Sequence, residues 1–138
     1  MANLLIIDDE ADVRDALAVA LLTAGHRVRV AANGPEGLAA CRLEAPDLVI
    51  TDLIMPLAHG FDVISELRAH FPAIRIIAIS GGGNFWPDTY QPEAVTTTAY
   101  LAAALDLGAD AILSKPFDTD TLLGAVEAAL NKPAAVDG

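Results

Sequence analysis

The stretch Leu4-Leu5-Ile6-Ile7-Asp8-Asp9-Glu10 changes abruptly from wholly apolar to wholly acidic. Four consecutive aliphatic residues without polar alternation predict a short strand that is covered on both of its faces. Strands of this kind belong to parallel sheets, where helices pack on both sides. The stretch therefore predicts an α/β fold in which acidic residues directly follow the first strand.

The rest of the chain alternates between strand-like and helix-like segments. Apolar, β-branched or alternating runs predict four more strands, at Arg27–Ala31, Leu48–Thr51, Ile74–Ile79 and Ala111–Leu113. Helical spacing predicts helices at Asp12–Thr23, Asn33–Arg42, Asp62–Phe71, Glu93–Leu107 and Asp118–Asn131. In the second strand, valines alternate with arginines, which is typical of a sheet edge. Five strands that alternate with five helices predict a doubly wound parallel sheet.

Composition limits the classes of protein and partner. The chain has 138 residues, 54% of them hydrophobic, which suffices for one domain with a buried core. Eight Lys and Arg against 19 Asp and Glu give a net charge of −11. A surface this acidic repels phosphate backbones and anionic lipid heads, so we expect neither nucleic acid nor a membrane as partner.

Cysteine content and hydropathy exclude further classes. Cys41 is the only cysteine, which excludes a disulfide framework and a zinc site built from several thiolates. It lies in an apolar helical pattern and is predicted to be a small buried residue. The run Leu4–Ile7 is too short for a signal-peptide core or a membrane span, so we expect a cytoplasmic protein.

Polar side chains stand at the ends of four of the five predicted strands. They are Asp8 and Asp9 after the first strand, Asp52 after the third, Ser80 after the fourth and Lys115 after the fifth. Ligands of open parallel sheets bind at the carboxyl ends of the strands. A single Asp after a strand is more often a turn residue. The consistent placement of five such residues predicts a site where they converge.

The residue types in this predicted cluster indicate its chemistry. Crowded carboxylates repel one another unless a cation lies among them. Oxygen ligands in a shallow cleft favour Mg²⁺ over Ca²⁺. Lys115 would add a positive charge and Ser80 a hydroxyl donor. Together these groups would cradle a phosphoryl group carried on one carboxylate.

The combined motifs resemble the receiver domain of two-component response regulators, of the stand-alone, chemotaxis type. The matching stretches are Leu5–Glu10, Asp47–Pro56, Ile79-Ser80, Gly108-Ala109-Asp110 and Lys115-Pro116-Phe117. Together they are specific, although each alone is not. The resemblance implies a flavodoxin-like strand order 2-1-3-4-5, with a receiver domain over residues 1–131 and a short flexible tail at 132–138.

The resemblance also implies which residues hold the metal and accept the phosphoryl group. Asp52 would be the phospho-acceptor and would take the group from a sensor histidine kinase or a histidine phosphotransfer protein. Asp9 would be the main ligand of Mg²⁺, assisted by Asp8 and by Asp52 itself. The backbone carbonyl of Ile54 would supply another ligand.

The remaining implied roles concern the switch. Lys115 would pair with a phosphoryl oxygen, beside a cis bond to Pro116, and Ser80 would be pulled toward the phosphoryl group. This pull would change the face formed by the fourth helix, fifth strand and fifth helix, and so control a downstream protein target. Such a protein is not an enzyme beyond slow Mg²⁺-dependent self-dephosphorylation, and is expected to be a monomer or weak dimer.

Three departures from the family pattern stand out. Ile112 occupies the position three residues before Lys115, where receivers usually carry an aromatic switch residue. His59 replaces a common acidic residue, and is interpreted as an exposed loop histidine. The connection Gly81–Pro92 is longer than the usual βα loop of about 2–6 residues. Its aromatic residues could pack on the sheet edge, or the segment could be a mobile lid or docking loop.

Two other readings remain to be compared. A pseudo-receiver would keep the fold as a binding module without phosphoryl chemistry, but the intact Asp9, Asp52, Ser80 and Lys115 argue against it. Enzymes of similar fold fit poorly. The acidic Asp8–Glu10 turn would repel a flavin phosphate, and Ile54 stands where a haloacid-dehalogenase phosphatase needs a second Asp.

Overall fold

The fold was analysed in a computed structural model, which describes residues 2–53, 60–80, 102–114 and 117–131. Its strands are β1 (Asn3–Ile7), β2 (Arg27–Ala31), β3 (Leu48–Asp52), β4 (Arg75–Ser80) and β5 (Ala111–Ser114). Its helices are α1 (Ala11–Thr23), α2 (Gly34–Leu43), α3 (Gly60–His70), α4 (102–107) and α5 (Thr119–Asn131). The predicted loop Gly81–Pro92, the first part of the helix predicted from Glu93, and the predicted tail at 132–138 lie outside the described residues.

All five strands are parallel and follow the order β2-β1-β3-β4-β5. This confirms the doubly wound, flavodoxin-like sheet and places β2 at an edge, as its alternating valines and arginines predicted. The strand order reverses between β1 and β3, which therefore form the switch point at which such sheets bind ligands. Among the described residues, no helix combines the length and the apolar character needed to cross a membrane.

The core has two halves, one on each face of the sheet. In β1, Leu5 and Ile7 join the half that contains residues of α2, α3 and α4. Leu4 and Ile6 join the half that contains residues of α1 and α5. All four side chains are at most 1% exposed, which confirms the strand covered on both faces.

Helix α2 packs closely on β1. A Cβ atom built at Gly37 would lie 2.7 Å from Ile7 Cγ1, so the glycine is needed for this approach. The helix is capped at its start by Asn33, whose Oδ1 accepts a hydrogen bond of 2.9 Å from the Glu36 amide. Asp118 caps α5 in the same way, with its Oδ1 2.8 Å from the Thr121 nitrogen.

The amino end of the sheet is fastened by Arg68 of α3. Its guanidinium donates to the carbonyl oxygens of Gly108 at 2.9 Å and Ile74 at 2.6 Å. It also forms a 2.7 Å ion pair with Asp110, whose same oxygen accepts the amide of Ile76 at 2.8 Å. Gly108 has a φ of +119°, which favours glycine. The chain segments before β4 and β5 are thereby joined to α3.

Candidate functional site

Three carboxylates meet at the carboxyl end of the sheet. Asp8 and Asp9 follow β1, and Asp52 is the last residue of β3. Ile7 is paired with Thr51 in the β1–β3 register, so the next residues of each strand emerge side by side. One oxygen atom from each of the three carboxylates lies within 4.8 Å of the other two. The predicted convergence of these residues is therefore present in the structure.

The backbone and side chain of Asp8 are held from several directions. Its amide donates to Ala31 of β2 at 3.1 Å, which continues the β1–β2 pairing. Its Oδ1 accepts the amide of Glu10 at 2.9 Å, and its carbonyl oxygen accepts Arg14 Nη1 at 2.9 Å. With 1% exposure, Asp8 is a buried polar residue with a defined geometry.

Asp9 presents the feature that most clearly favours a cation. Its Oδ1 is buried and has no hydrogen-bond partner among the described residues. Burial of a carboxylate oxygen without compensation is costly, and a coordinated cation removes this cost. The positive end of the α1 dipole, which begins at Ala11, stabilises the negative carboxylate and so offsets a smaller part of this cost, but it does not itself favour a cation.

Asp52 is anchored in the middle of the sheet. It pairs with Ile79 of β4, and the amide of the following Leu53 donates to the carbonyl of Ile79 at 2.9 Å. β3 includes Asp52, although the sequence predicted that the strand would end at Thr51. Asp52 is 7% exposed and is therefore a largely buried polar residue.

The donor set of this cluster fits Mg²⁺. All three residues offer carboxylate oxygen, the ligand preferred by hard divalent cations. Neither histidine nor cysteine belongs to the group within the described ranges, so the set does not favour softer transition metals. Asp8, Asp9 and Asp52 are thus the residues that could hold the ion.

The other predicted site residues are described only in part. Ser80 is the last residue of β4, paired with Ser114 of β5, and therefore stands at the same sheet edge as the carboxylates. Lys115 follows Ser114 directly but lies outside the described residues, as do Ile54, Pro116 and His59. Ile112, the departure from the aromatic pattern, is partly buried and packs against the core half that includes α2, α3 and α4.

Cys41 is a core residue, as predicted. It is 1% exposed and belongs to the core half on the α2 face. Burial raises the pKa of its thiol, and the nearby Arg29 and Arg42 only partly oppose this. A buried thiol with a raised pKa is a poor nucleophile, so Cys41 is not a candidate for covalent chemistry.

Arg14 is the site residue that the sequence did not reveal. It lies on α1, and its side chain contacts the backbone of Asp8 rather than a carboxylate of the described residues. One signal was present in the sequence, since the chain has only eight Lys and Arg and one of them stands six residues after Asp8. The pattern alone does not distinguish such a contact from an exposed helix residue.

Comparison with known proteins agrees with the fold. The family model described as response regulator receiver domain matches residues 4–127. The chain is 34% identical over 135 residues to the transcriptional regulatory protein KdpE of Mycobacterium tuberculosis, covering 98% of this chain and 54% of KdpE. It is also 34% identical over 138 residues to the DNA-binding transcriptional regulator NtrC of Azospirillum brasilense, covering 98% of this chain and 26% of that protein. The chain thus spans about half or less of these relatives.

Solved structures give the same result at domain length. The receiver domain of NtrX from Brucella abortus has a TM-score of 0.80 at 30% identity, covering 94% of this chain and 98% of that one. The chemotaxis protein CheY4 of Vibrio cholerae has a TM-score of 0.75 at 27% identity, covering 94% and 98%. With the family model matched over most of its length, the chain belongs to the response regulator receiver domains.

Proposed function

We propose that this receiver domain is a phospho-acceptor switch, in which Asp52 accepts a phosphoryl group from a histidine of a sensor kinase or phosphotransfer protein. The observation that carries the proposal is the group of Asp8, Asp9 and Asp52, whose oxygens lie within 4.8 Å of one another at the sheet's switch point. Carboxylates crowded at this edge repel one another. A divalent cation bound among them would offset the repulsion and allow an anionic substrate to approach.

In the proposed reaction, an oxygen of the Asp52 carboxylate attacks the phosphorus atom of phosphohistidine. The new P–O bond forms as the P–N bond breaks, and the imidazole nitrogen retains the electron pair. Mg²⁺, when bound, neutralises charge on the transferring oxygens. Asp8, Asp9 and Asp52 would hold the ion, and the backbone carbonyl of Ile54 would be a further protein ligand. The fixed backbone of Asp52 orients its carboxylate for attack.

Lys115 and Ser80 complete the proposed site. Lys115 pairs with a phosphoryl oxygen, and the Ser80 hydroxyl donates to another. Their positions in the chain support these roles, because Ser80 ends β4 and Lys115 follows the end of β5. Beyond accepting the group, we propose no catalysis except slow Mg²⁺-dependent self-dephosphorylation.

The output of the switch is proposed to be contact with a cytoplasmic protein target. The face formed by α4, β5 and α5 changes when Ser80 engages the phosphoryl group. The domain acts as a monomer or weak dimer. NtrC, a relative, is a DNA-binding regulator by name, but this acidic domain carries a net charge of −11 and is proposed to act through protein contacts.

The first test is phosphorylation by a small-molecule donor, acetyl phosphate, followed by intact mass. With Mg²⁺, the wild-type chain is expected to gain one phosphoryl group, and Asp52→Asn is expected to gain none. Asp15→Asn, the same change at an exposed position of α1, is the matched control and should be modified like wild type. A wild-type chain that gains no phosphoryl group with Mg²⁺ present would instead favour a pseudo-receiver that only binds partners.

A further inference from the structure

The turn between β1 and α1 is closed by a side chain from the helix that follows it. Arg14, one turn into α1, reaches back over Glu10 and donates from Nη1 to the carbonyl oxygen of Asp8 at 2.9 Å. The bond is partly buried. It spans the short segment that contains two of the three clustered carboxylates.

The carbonyl that Arg14 contacts belongs to the peptide bond between Asp8 and Asp9. Because this peptide unit is planar, fixing the direction of its C=O group also fixes the direction in which Asp9 leaves the strand. Among the described residues, the buried Oδ1 of Asp9 has no hydrogen-bond partner, so the backbone does much to set the position of this side chain. Control of this peptide plane is therefore control of where the Asp9 carboxylate points.

Arg14 does this without neutralising the cluster. Among the described residues, it forms no ion pair within 4.0 Å, whereas Arg68 pairs with Asp110 at 2.7 Å. A guanidinium bound to a carboxylate of the cluster would compete with a cation for the same oxygens. Because Arg14 contacts the backbone carbonyl, it does not itself occupy those oxygens.

We infer that Arg14 is a positioning residue for the metal site, holding the Asp8–Asp9 peptide so that both carboxylates converge with Asp52 on Mg²⁺. This inference rests on the proposed function for the presence of the ion. Residues that orient the metal ligands without contacting the metal typically contribute about 10–100-fold to metal affinity. The guanidinium also carries a positive charge, which by itself would weaken Mg²⁺ binding, so the two effects have opposite signs.

The test is a Mg²⁺ titration of the full chain without phosphodonor, measured by isothermal titration calorimetry at fixed ionic strength. Arg14→Met keeps the aliphatic stem but removes the hydrogen bond and the charge. We expect it to weaken Mg²⁺ binding by about tenfold. Arg14→Lys, which retains a donor and a charge, is expected to recover part of the lost affinity. Arg42→Met, an exposed position on α2, loses the same charge and should bind like wild type.

Each contrary result has a definite meaning. Unchanged or tighter Mg²⁺ binding by Arg14→Met would overturn the positioning role. It would mean that Arg14 has no net effect on Mg²⁺ affinity, or that its positive charge mainly repels the ion. No rescue by lysine would also overturn it. If Arg14 only stabilised the fold, Arg14→Met would lower the unfolding temperature but leave the affinity of the folded protein unchanged. A wild-type chain that binds no Mg²⁺ would overturn the proposed function itself, and Arg14's role with it.

Discussion

The two ends of the parallel sheet differ in how their charged side chains are arranged. At the amino end, Arg68 meets Asp110 and several backbone carbonyls, so that donors and acceptors are matched. At the carboxyl end, Asp8, Asp9 and Asp52 bring like charges within 4.8 Å of one another. The first arrangement stabilises the fold as it stands. We expect the second arrangement to lower stability until a cation binds, as is common where function requires a strained site.

The largest effect is expected at the amino end. Arg68→Met should lower the free energy of unfolding by about 3 kcal/mol, because Asp110 and two carbonyls lose a partly buried donor. Mg²⁺ affinity should remain unchanged, since Arg68 and its contacts lie at the end of the sheet opposite the carboxylate cluster. Urea unfolding and Mg²⁺ titration measure the two quantities.

Arg42→Met serves as the control for Arg68→Met, because it removes the same charge from an exposed position. Its unfolding free energy should be close to that of wild type. If Arg68→Met lowers the unfolding free energy no more than this control does, the contacts of Arg68 do not stabilise the amino end of the sheet. A simultaneous loss of Mg²⁺ affinity would show that the two ends are coupled.

A smaller effect of opposite sign is expected at the carboxyl end. Asp9→Asn should raise the unfolding free energy in the absence of divalent ions by roughly 1 kcal/mol, because it removes one of three crowded charges. The same variant should lose Mg²⁺-dependent stabilisation, which for wild type grows with the ratio of ion concentration to Kd. Thermal unfolding with EDTA and with Mg²⁺ measures both.

The exposed Asp15→Asn is the matched control for the charge change at Asp9. It should neither stabilise the metal-depleted protein nor reduce its response to Mg²⁺. If Asp9→Asn destabilises the protein in EDTA, repulsion within the cluster is not the dominant interaction there, and the contrast between the two ends of the sheet is lost.

The smallest effect is expected at Asp118, a carboxylate at the carboxyl end of the sheet that accepts a hydrogen bond from a backbone amide. The Thr121 backbone amide lowers the pKa of Asp118 by hydrogen bonding to it. A lowered folded-state pKa contributes stability that is present above the unfolded-state value and lost as pH falls through the folded-state value. The stability difference between wild type and Asp118→Asn should therefore shift against wild type below about pH 4.

Urea unfolding of Asp118→Asn and wild type at several pH values measures this shift. Asparagine also caps helices but does not titrate in this range, so the comparison isolates ionisation. A difference that stays constant down to acidic pH would show that the α5 cap does not depend on the charge of Asp118.

Much of the fold could be predicted because the sheet's centre has a strong local signal. The aliphatic run Leu4–Ile7 has no polar alternation, and the structure buries it on both sides. The strand ends were less predictable. β3 ends one residue later than predicted, and β4 is shifted by one residue from the predicted Ile74–Ile79 to Arg75–Ser80. Asp52 and Ser80 are polar, but their backbones still pair within the sheet.

The candidate site could be predicted in its carboxylates but not in its supports. Asp8, Asp9 and Asp52 directly follow or end apolar strands, so topology alone brings them together. The bond of Arg14 at the site, like that of Arg68 at the opposite end of the sheet, runs from a long side chain to a backbone carbonyl, and the Arg68 bond spans forty residues of sequence. Such contacts depend on the three-dimensional path of the chain and leave no local pattern.

The composition of β1 has a consequence for the chain before it folds. Leu4 needs both Val28 and Leu48 as neighbours, so β1 stays without part of its sheet until distant segments arrive. Short aliphatic segments in unfolded chains associate with copies of themselves, and adjacent charges oppose this. We therefore expect the acidic Asp8–Glu10 triplet that follows β1 to oppose aggregation of the unfolded chain. In the folded protein, Asp8 and Asp9 bring the same charges to the carboxylate cluster.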